Sequence, residues 1–282
     1  MIDLHVHTTA SDGTLDPIPL VKRAHDAGVR TLSVTDHDTM SAVPTAAEAA
    51  SRLGMDFFPG IEVTAVLGRR DVHVLGYFLD TTAVALEPFL RNQRQSRIIR
   101  AQEMAKLLDR LGVPIDVDQI IAAAESGERS VGRPALARAL VDAGHASSPR
   151  EAFQRWIGDQ GPAYVAREGL SPVDVVRLIS RAGGVSALAH PGLLRRDDLI
   201  PELARAGMTA IEVYHPEHDT ATQSHYRKLA LQYSMVTSGG SDFHGDGHRR
   251  SNSLGSVGLR SDEFDSLLEC LVRAHRVVHG DG

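Results

Sequence analysis

Residues 1–38 read MIDLHVHTTASDGTLDPIPLVKRAHDAGVRTLSVTDHD, and this stretch decides the fold class. Residues 2–6 are strand-like. Residues 17–28 read as a helix: Asp16 serves as N-cap, Pro17 suits the first turn, and Gly28 suits the C-terminal stop. TLSVT, at 31–35, is a second strand. Strand, helix and strand in alternation are the unit of a parallel α/β sheet or barrel. The strand ends, however, carry ligand chemistry. His5 and His7 stand at i and i+2, so both imidazoles share one face of the first strand. Asp12 follows in the loop, and the second strand runs out into Asp36-His37-Asp38.

Beyond residue 38 the alternation continues with a helix at 41–54 and strands at 57–64 and 72–79. From about 84 to 161 the pattern turns almost wholly helical. ALEPFLRNQRQSRIIRAQEMAKLLDRLG, at 85–112, has apolar residues at helical spacing and ends in Gly112. Strands resume at 184–189, 210–214 and 235–238, separated by helices at 172–181, 200–206 and 220–233. The simplest account is an α/β barrel built from residues 1–82 and 168–282, interrupted by a helical insertion, or cap, at 83–167. FHGDGHRRSNSLGS, which follows the last strand, is polar and Gly/Ser-rich and reads as an active-site loop.

Composition narrows the function. With 282 residues the chain can bury a sizeable core. Its net charge of −6 gives no whole-molecule attraction to nucleic acid. Cys270 is the sole cysteine, which excludes an internal disulfide and a cysteine-based zinc site. The start lacks the apolar core of a signal peptide, and no run reaches membrane-spanning length, so the expectation is a cytoplasmic protein without membrane contact.

In parallel α/β folds function gathers at the carboxyl ends of the strands. Six successive strand ends here offer nitrogen or oxygen ligands: His5, His7 and Asp12; His37; Glu62; His73; His190; and Asp242 with His244. A set without sulfur suits zinc, manganese or iron(II) in a multinuclear site. Without metal, so many polar groups at one sheet edge would leave acceptors unpaired and carboxylates repelling one another. Asp3, Asp36 and Asp38 have two open readings, orientation of the histidines or surface hydrogen bonding.

DLHVHTTASDG, TDHD, GIE, HVLGY, AHPG and GSDFHG, in this order, resemble the PHP (polymerase and histidinol phosphatase) family of metal-dependent phosphoesterases. The likeness covers about residues 1–80 and 165–260. It implies a distorted (β/α)7 barrel with two or three divalent ions (Mn, Fe or Zn). His5, His7, Glu62 and Asp242 would hold the first; Glu62, His73 and His190 the second; Asp12, His37 and His244 the third. The stand-alone branch it resembles includes nucleoside 3′,5′-bisphosphate phosphatases and 5′-to-3′ oligoribonucleases. Implied is attack of a metal-bound hydroxide on phosphorus, with Glu62 and Asp242 in the catalytic set. VGRPALA carries Ala135 where many relatives have histidine, and His215 or His218 is a possible substitute, with His215 taken as the catalytic candidate.

Arg97 and Arg133 are the expected contacts for a phosphate that is not cleaved. Arg94, Arg97 and Arg100 can equally form a solvated helix face. The expected partner is a small phosphorylated substrate, a nucleotide or a short single-stranded RNA. Aromatic residues are too scattered for a long nucleic-acid track. Histidinol-phosphate-type or other small-molecule phosphomonoester hydrolysis, and a metal-binding domain without turnover, are the alternative functions. The sequence leaves the oligomeric state open.

Overall fold

A computed structural model describes residues 1–79, 86–127, 129–247 and 250–279. The expected boundary at 82–83, and His248 and Arg249 of the polar loop, lie outside the described residues. Strand β1 (Ile2–Val6), helix α1 (Pro17–Asp26), β2 (Thr31–Val34) and α2 (Val43–Arg52) follow the expected alternation. β1 and β2 pair in parallel, and a two-residue β3 (Asp56–Phe57) extends their sheet. Leu20, Val21 and Ala24 of α1 and Ala46 and Ala50 of α2 bury one face of each helix against it.

The expected strand at 57–64 is two elements. Phe58-Pro59 breaks it, and β4 (Gly60–Leu67) begins anew. β4 then turns through Gly68-Arg69 into β5 (Arg70–Tyr77), an antiparallel hairpin with Leu67 opposite Arg70. A two-residue turn reverses the chain, and Gly68, at φ +62°, supplies the left-handed backbone it needs. β5 is also antiparallel to β6 (Val185–Leu188), so within this five-stranded sheet the parallel pairs are β6 with β7 (Ala210–Tyr214) and β7 with β8 (Val236–Gly239). The expectation of a purely parallel arrangement therefore needs correction at β5.

The two sheets, of three and five strands, meet at isolated bridges, His37 with Glu62 at one seam and Val6 with Phe243 at the other. Outside the larger sheet lie α7 (Pro172–Arg181), α9 (Ile200–Arg205), which follows the short α8 (Pro191–Leu194), and α10 (Thr220–Gln232). Helix α11 (Ser261–His279) packs Phe264 and Leu267 against Leu4, Leu75 and Tyr77.

Between β5 and α7 run α3 (Leu86–Arg110), α4 (Asp118–Glu125), α5 (Arg133–Asp142) and α6 (Pro149–Ala152), which continues as a π-helical turn over Phe153–Ile157. Met104, Leu108, Leu136, Leu140 and Ile157 form a hydrophobic cluster separate from those of the sheets. Among the described residues no helix is long and apolar enough to cross a membrane.

Candidate metal centre

The centre is assembled at the seams. β1 delivers His5 and His7 fully buried, their rings tilted 5.1 Å apart and their Nε2 atoms 3.1 Å apart. Gly240 lets the chain after β8 pass close to β1: a Cβ there would fall 2.4 Å from the His5 backbone nitrogen. Glu62, third in β4, serves both sides. Its Oε2 lies 3.3 Å from His5 Nε2, 3.2 Å from His7 Nε2 and 3.2 Å from His37 Nδ1. Its Oε1 lies 2.9 Å from His73 Nδ1 and 3.1 Å from His190 Nε2. Asp242 Oδ1 stands 3.3–3.4 Å from nitrogens of His5, His7 and His244. Asp12 closes the far side, 3.3 Å from His244 Nε2 and 3.8 Å from His37 Nε2.

All nine residues expected to bind metal thus come together. Three donor groups emerge: His7, Asp12, His37 and His244; His5, His7 and Asp242; and His37, Glu62 and His73. The division differs from the expected one. His7 and His37 are each shared between two groups, and His190 reaches the cluster through Glu62. His190 (φ +29°) and Asp242 (φ +45°) hold positive-φ backbone, uncommon outside glycine though less so for histidine and aspartate, and such strained positions collect at functional sites.

The donor set fits divalent cations. His37 Nδ1 and His73 Nδ1 are buried without a hydrogen bond, though both face Glu62. His5 and His7 point nitrogens at each other. Such convergence leaves lone pairs unused unless a cation or protons occupy the middle. The proton affinities show the same demand. Burial opposes charge on His7, yet Asp242 and Glu62 raise its pKa to about 10, whereas burial pushes His37 down to about 3. Against burial, the surrounding histidines hold Glu62 and Asp242 well below the usual carboxylate range.

A buried outer layer fixes these ligands. Glu212, which the sequence reading passed over, accepts from His5 Nδ1 at 2.8 Å and from the His190 backbone N–H at 2.6 Å. Its only sequence signal is a carboxylate inside the apolar run AIEVY. Asp3 accepts from the Ser241 N–H, and Asp36 from the Thr8 N–H and hydroxyl, at the root of the loop bearing Asp12. Asp38 accepts from the Thr64 N–H and from Arg97. These three aspartates are buried, which removes the surface reading.

His215 is fully buried. Its Nδ1 accepts from the Glu217 N–H, so Nε2 carries the proton and faces Asp242 Oδ2 at 3.2 Å. Arg250, also passed over, meets the same oxygen at 2.5 Å. His218 is engaged at both nitrogens, by the Val213 carbonyl and the Gly192 N–H.

Above the ligands opens a cleft of about 520 Å³, walled by the donor cluster on one side and by Arg97, Arg133 and Arg167 on the other. Arg97 and Arg100 are buried, so this stretch of α3 is no solvated face. Each nitrogen of Arg97 has an acceptor: Nε bonds Asp38, Nη2 Thr64 Oγ1 and Nη1 the Val131 carbonyl. Arg133 bonds Asp159 at 2.6 Å and lies over the rings of Phe153 and Tyr164.

A model of the PHP domain matches residues 3–121. The chain is 34% identical over 253 residues to the 3′,5′-nucleoside bisphosphate phosphatase of Chromobacterium violaceum, covering 87% of this chain and 88% of that protein. It is 35% identical over 251 residues to the 5′-3′ exoribonuclease Rnm of Escherichia coli, covering 86% and 84%. A solved chain from Bifidobacterium adolescentis, described as a metal-dependent phosphoesterase, matches over 95% of both chains with a TM-score of 0.86 and 30% identity.

Proposed function

The chain belongs to the PHP-domain family of metal-dependent phosphoesterases, and from that premise we propose that it hydrolyses a phosphate ester of a nucleotide, either a nucleoside 3′,5′-bisphosphate or a short 5′-phosphorylated oligonucleotide. The observation that carries this reading is Glu62, whose two oxygens face two different sets of histidines within one buried cluster. His5, His7, Asp12, His37, Glu62, His73, His190, Asp242 and His244 would hold two or three divalent ions. Bound there, such ions would supply Lewis acidity to phosphoryl oxygens and lower the pKa of water toward ~7.

The protein's own part is to place those donors rigidly before substrate arrives, so that no reorganisation is needed during reaction. Glu62 sets the spacing between the two sides. Asp242 is held from behind by His215 and Arg250, so His215 acts on the reaction through Asp242. Arg133 contacts the phosphate that is not cleaved, and Arg97 steadies that wall through Asp38. The helical insertion at 83–167 caps the cleft and limits it to small or thin substrates. The two sheets and their bridges serve as a distorted seven-stranded barrel, with β3 as a side strand.

Adenosine 3′,5′-bisphosphate, a 5′-phosphorylated trinucleotide, histidinol phosphate and an aryl phosphate, each with manganese, zinc or chelator, form the test. Turnover of one of the first two, abolished by chelator, is expected. Preference for histidinol phosphate over both would move the protein to the small-molecule phosphomonoesterases, and no turnover of any would end the reading.

A further inference from the structure

The arginines of the cleft wall differ in how their donors are used. Every donor of Arg97 named above has a protein acceptor close by. Arg167 is different. Its side chain is only 8% exposed and lines the cleft, yet Nε and Nη1 are buried without a hydrogen bond. The nearest carboxylates stand off, Asp71 Oδ1 3.5 Å from Nε and Asp38 Oδ2 3.6 Å from Nη1. Asp38 Oδ2 is already taken by Arg97 at 2.7 Å. The other oxygen of Asp71 is 4.0 Å from Arg133 Nη2. Asp71 therefore sits loosely between two guanidinium groups and satisfies neither. Buried donors without acceptors are costly, and a guanidinium fork matches a phosphate's oxygens well.

We propose that Arg167 is the principal anchor for the non-reacting phosphate, shared with Arg133, and that Asp71 keeps its place in the ligand-free protein. This rests on the nucleotide reading above and names the recognition element within it. A phosphate presents more oxygens than a carboxylate and can accept from both forks at once, displacing Asp71 from between them. The charge environment agrees: burial first, then the nearby Arg97, lower the pKa of Arg167 to about 9, so a bound dianion stabilises its charged form. Asp71 lies two residues before His73 on β5, so the phosphate site and the ligand cluster share one strand.

Calorimetric titration of the full-length protein with inorganic phosphate tests this, once loaded with manganese and once with chelator. Wild type is expected to bind phosphate in both states. In R167M the chelator-resistant binding should weaken by at least about tenfold, the scale of one charge-assisted hydrogen bond, while manganese-dependent binding persists. Chelator-resistant binding within twofold of wild type in R167M, or its absence from wild type, would overturn the proposal. Should R167M not fold, D71N decides. Removing the competing carboxylate should tighten phosphate binding several-fold, and no change or weaker binding would count against it. In turnover, R167M should raise KM for adenosine 3′,5′-bisphosphate far more than for adenosine 3′-monophosphate, and equal effects would refute it. A wild type that binds phosphate through Arg167 but hydrolyses no nucleotide would sink the functional reading and leave this inference standing.

Discussion

Glu212 shows how much of this centre depends on residues that never face the cleft. One of its oxygens receives His5 Nδ1 and the other the backbone N–H of His190, so one carboxylate fixes a ring from β1 and a strained loop after β6. Holding Nδ1 as the donor leaves His5 Nε2 as a lone pair directed at the cluster. Glu212→Gln keeps the volume but removes the charge. It should lower metal affinity or activity by about 10–100-fold, the usual cost of losing such a partner. Competition with a chromophoric chelator measures the first effect directly. Wild-type affinity and activity in this variant would show that packing alone sets the ring.

At the level of elements, the hairpin of β4 and β5 does what a parallel strand would not. Because β5 runs antiparallel, His73 near its start lies opposite Thr64, two residues along β4 from Glu62, and its Nδ1 reaches Glu62 Oε1. The same hairpin sends Thr64 up to the insertion, where Arg97 bonds its hydroxyl. The insertion has its own hydrophobic cluster around Leu108, Leu136 and Leu140. Leu136→Ala should therefore cost about 2–5 kcal/mol locally. We expect an early thermal transition, or greater protease sensitivity within 86–167, with the main transition little changed. A single transition shifted as a whole would mean that insertion and sheets unfold together.

Across the whole molecule, the centre joins both sheets and both seams, so its charge balance is a property of the fold. Glu62, Asp12 and Asp242 crowd together with seven imidazoles, and among the described residues Arg250 is the permanent cation in contact with them. Loading with manganese at 100 times its dissociation constant should stabilise the fold by about 2.7 kcal/mol. For a chain of this size that corresponds to a rise in Tm of several degrees, roughly 2–4 °C per kcal/mol. Differential scanning calorimetry with manganese and with chelator reads the difference. An identical Tm in both would mean that the cluster takes no ion of consequence.

The donors themselves were legible in the sequence, because His-x-His on a strand and Asp-x-His after another place side chains on one face whatever surrounds them. The alternation of strands and helices, and the run of helices between β5 and α7, were legible for the same reason: periodicity and capping are local. Three things were not. The break at Phe58-Pro59 and the reversal at Gly68 depend on which strand edge accepts β4, so strand direction had to wait for the fold. Glu212 looked like one polar residue in a buried strand, and only its two partners, 207 and 22 residues away, give it a purpose. The arginines could not be ranked from the chain, since Arg97 and Arg167 differ only in whether an acceptor lies within reach. Residue type and spacing thus determined which atoms can bind a cation or an anion. Tertiary structure decided which of them are left with nothing else to bind, because hydrogen-bond saturation depends on neighbours distant in sequence.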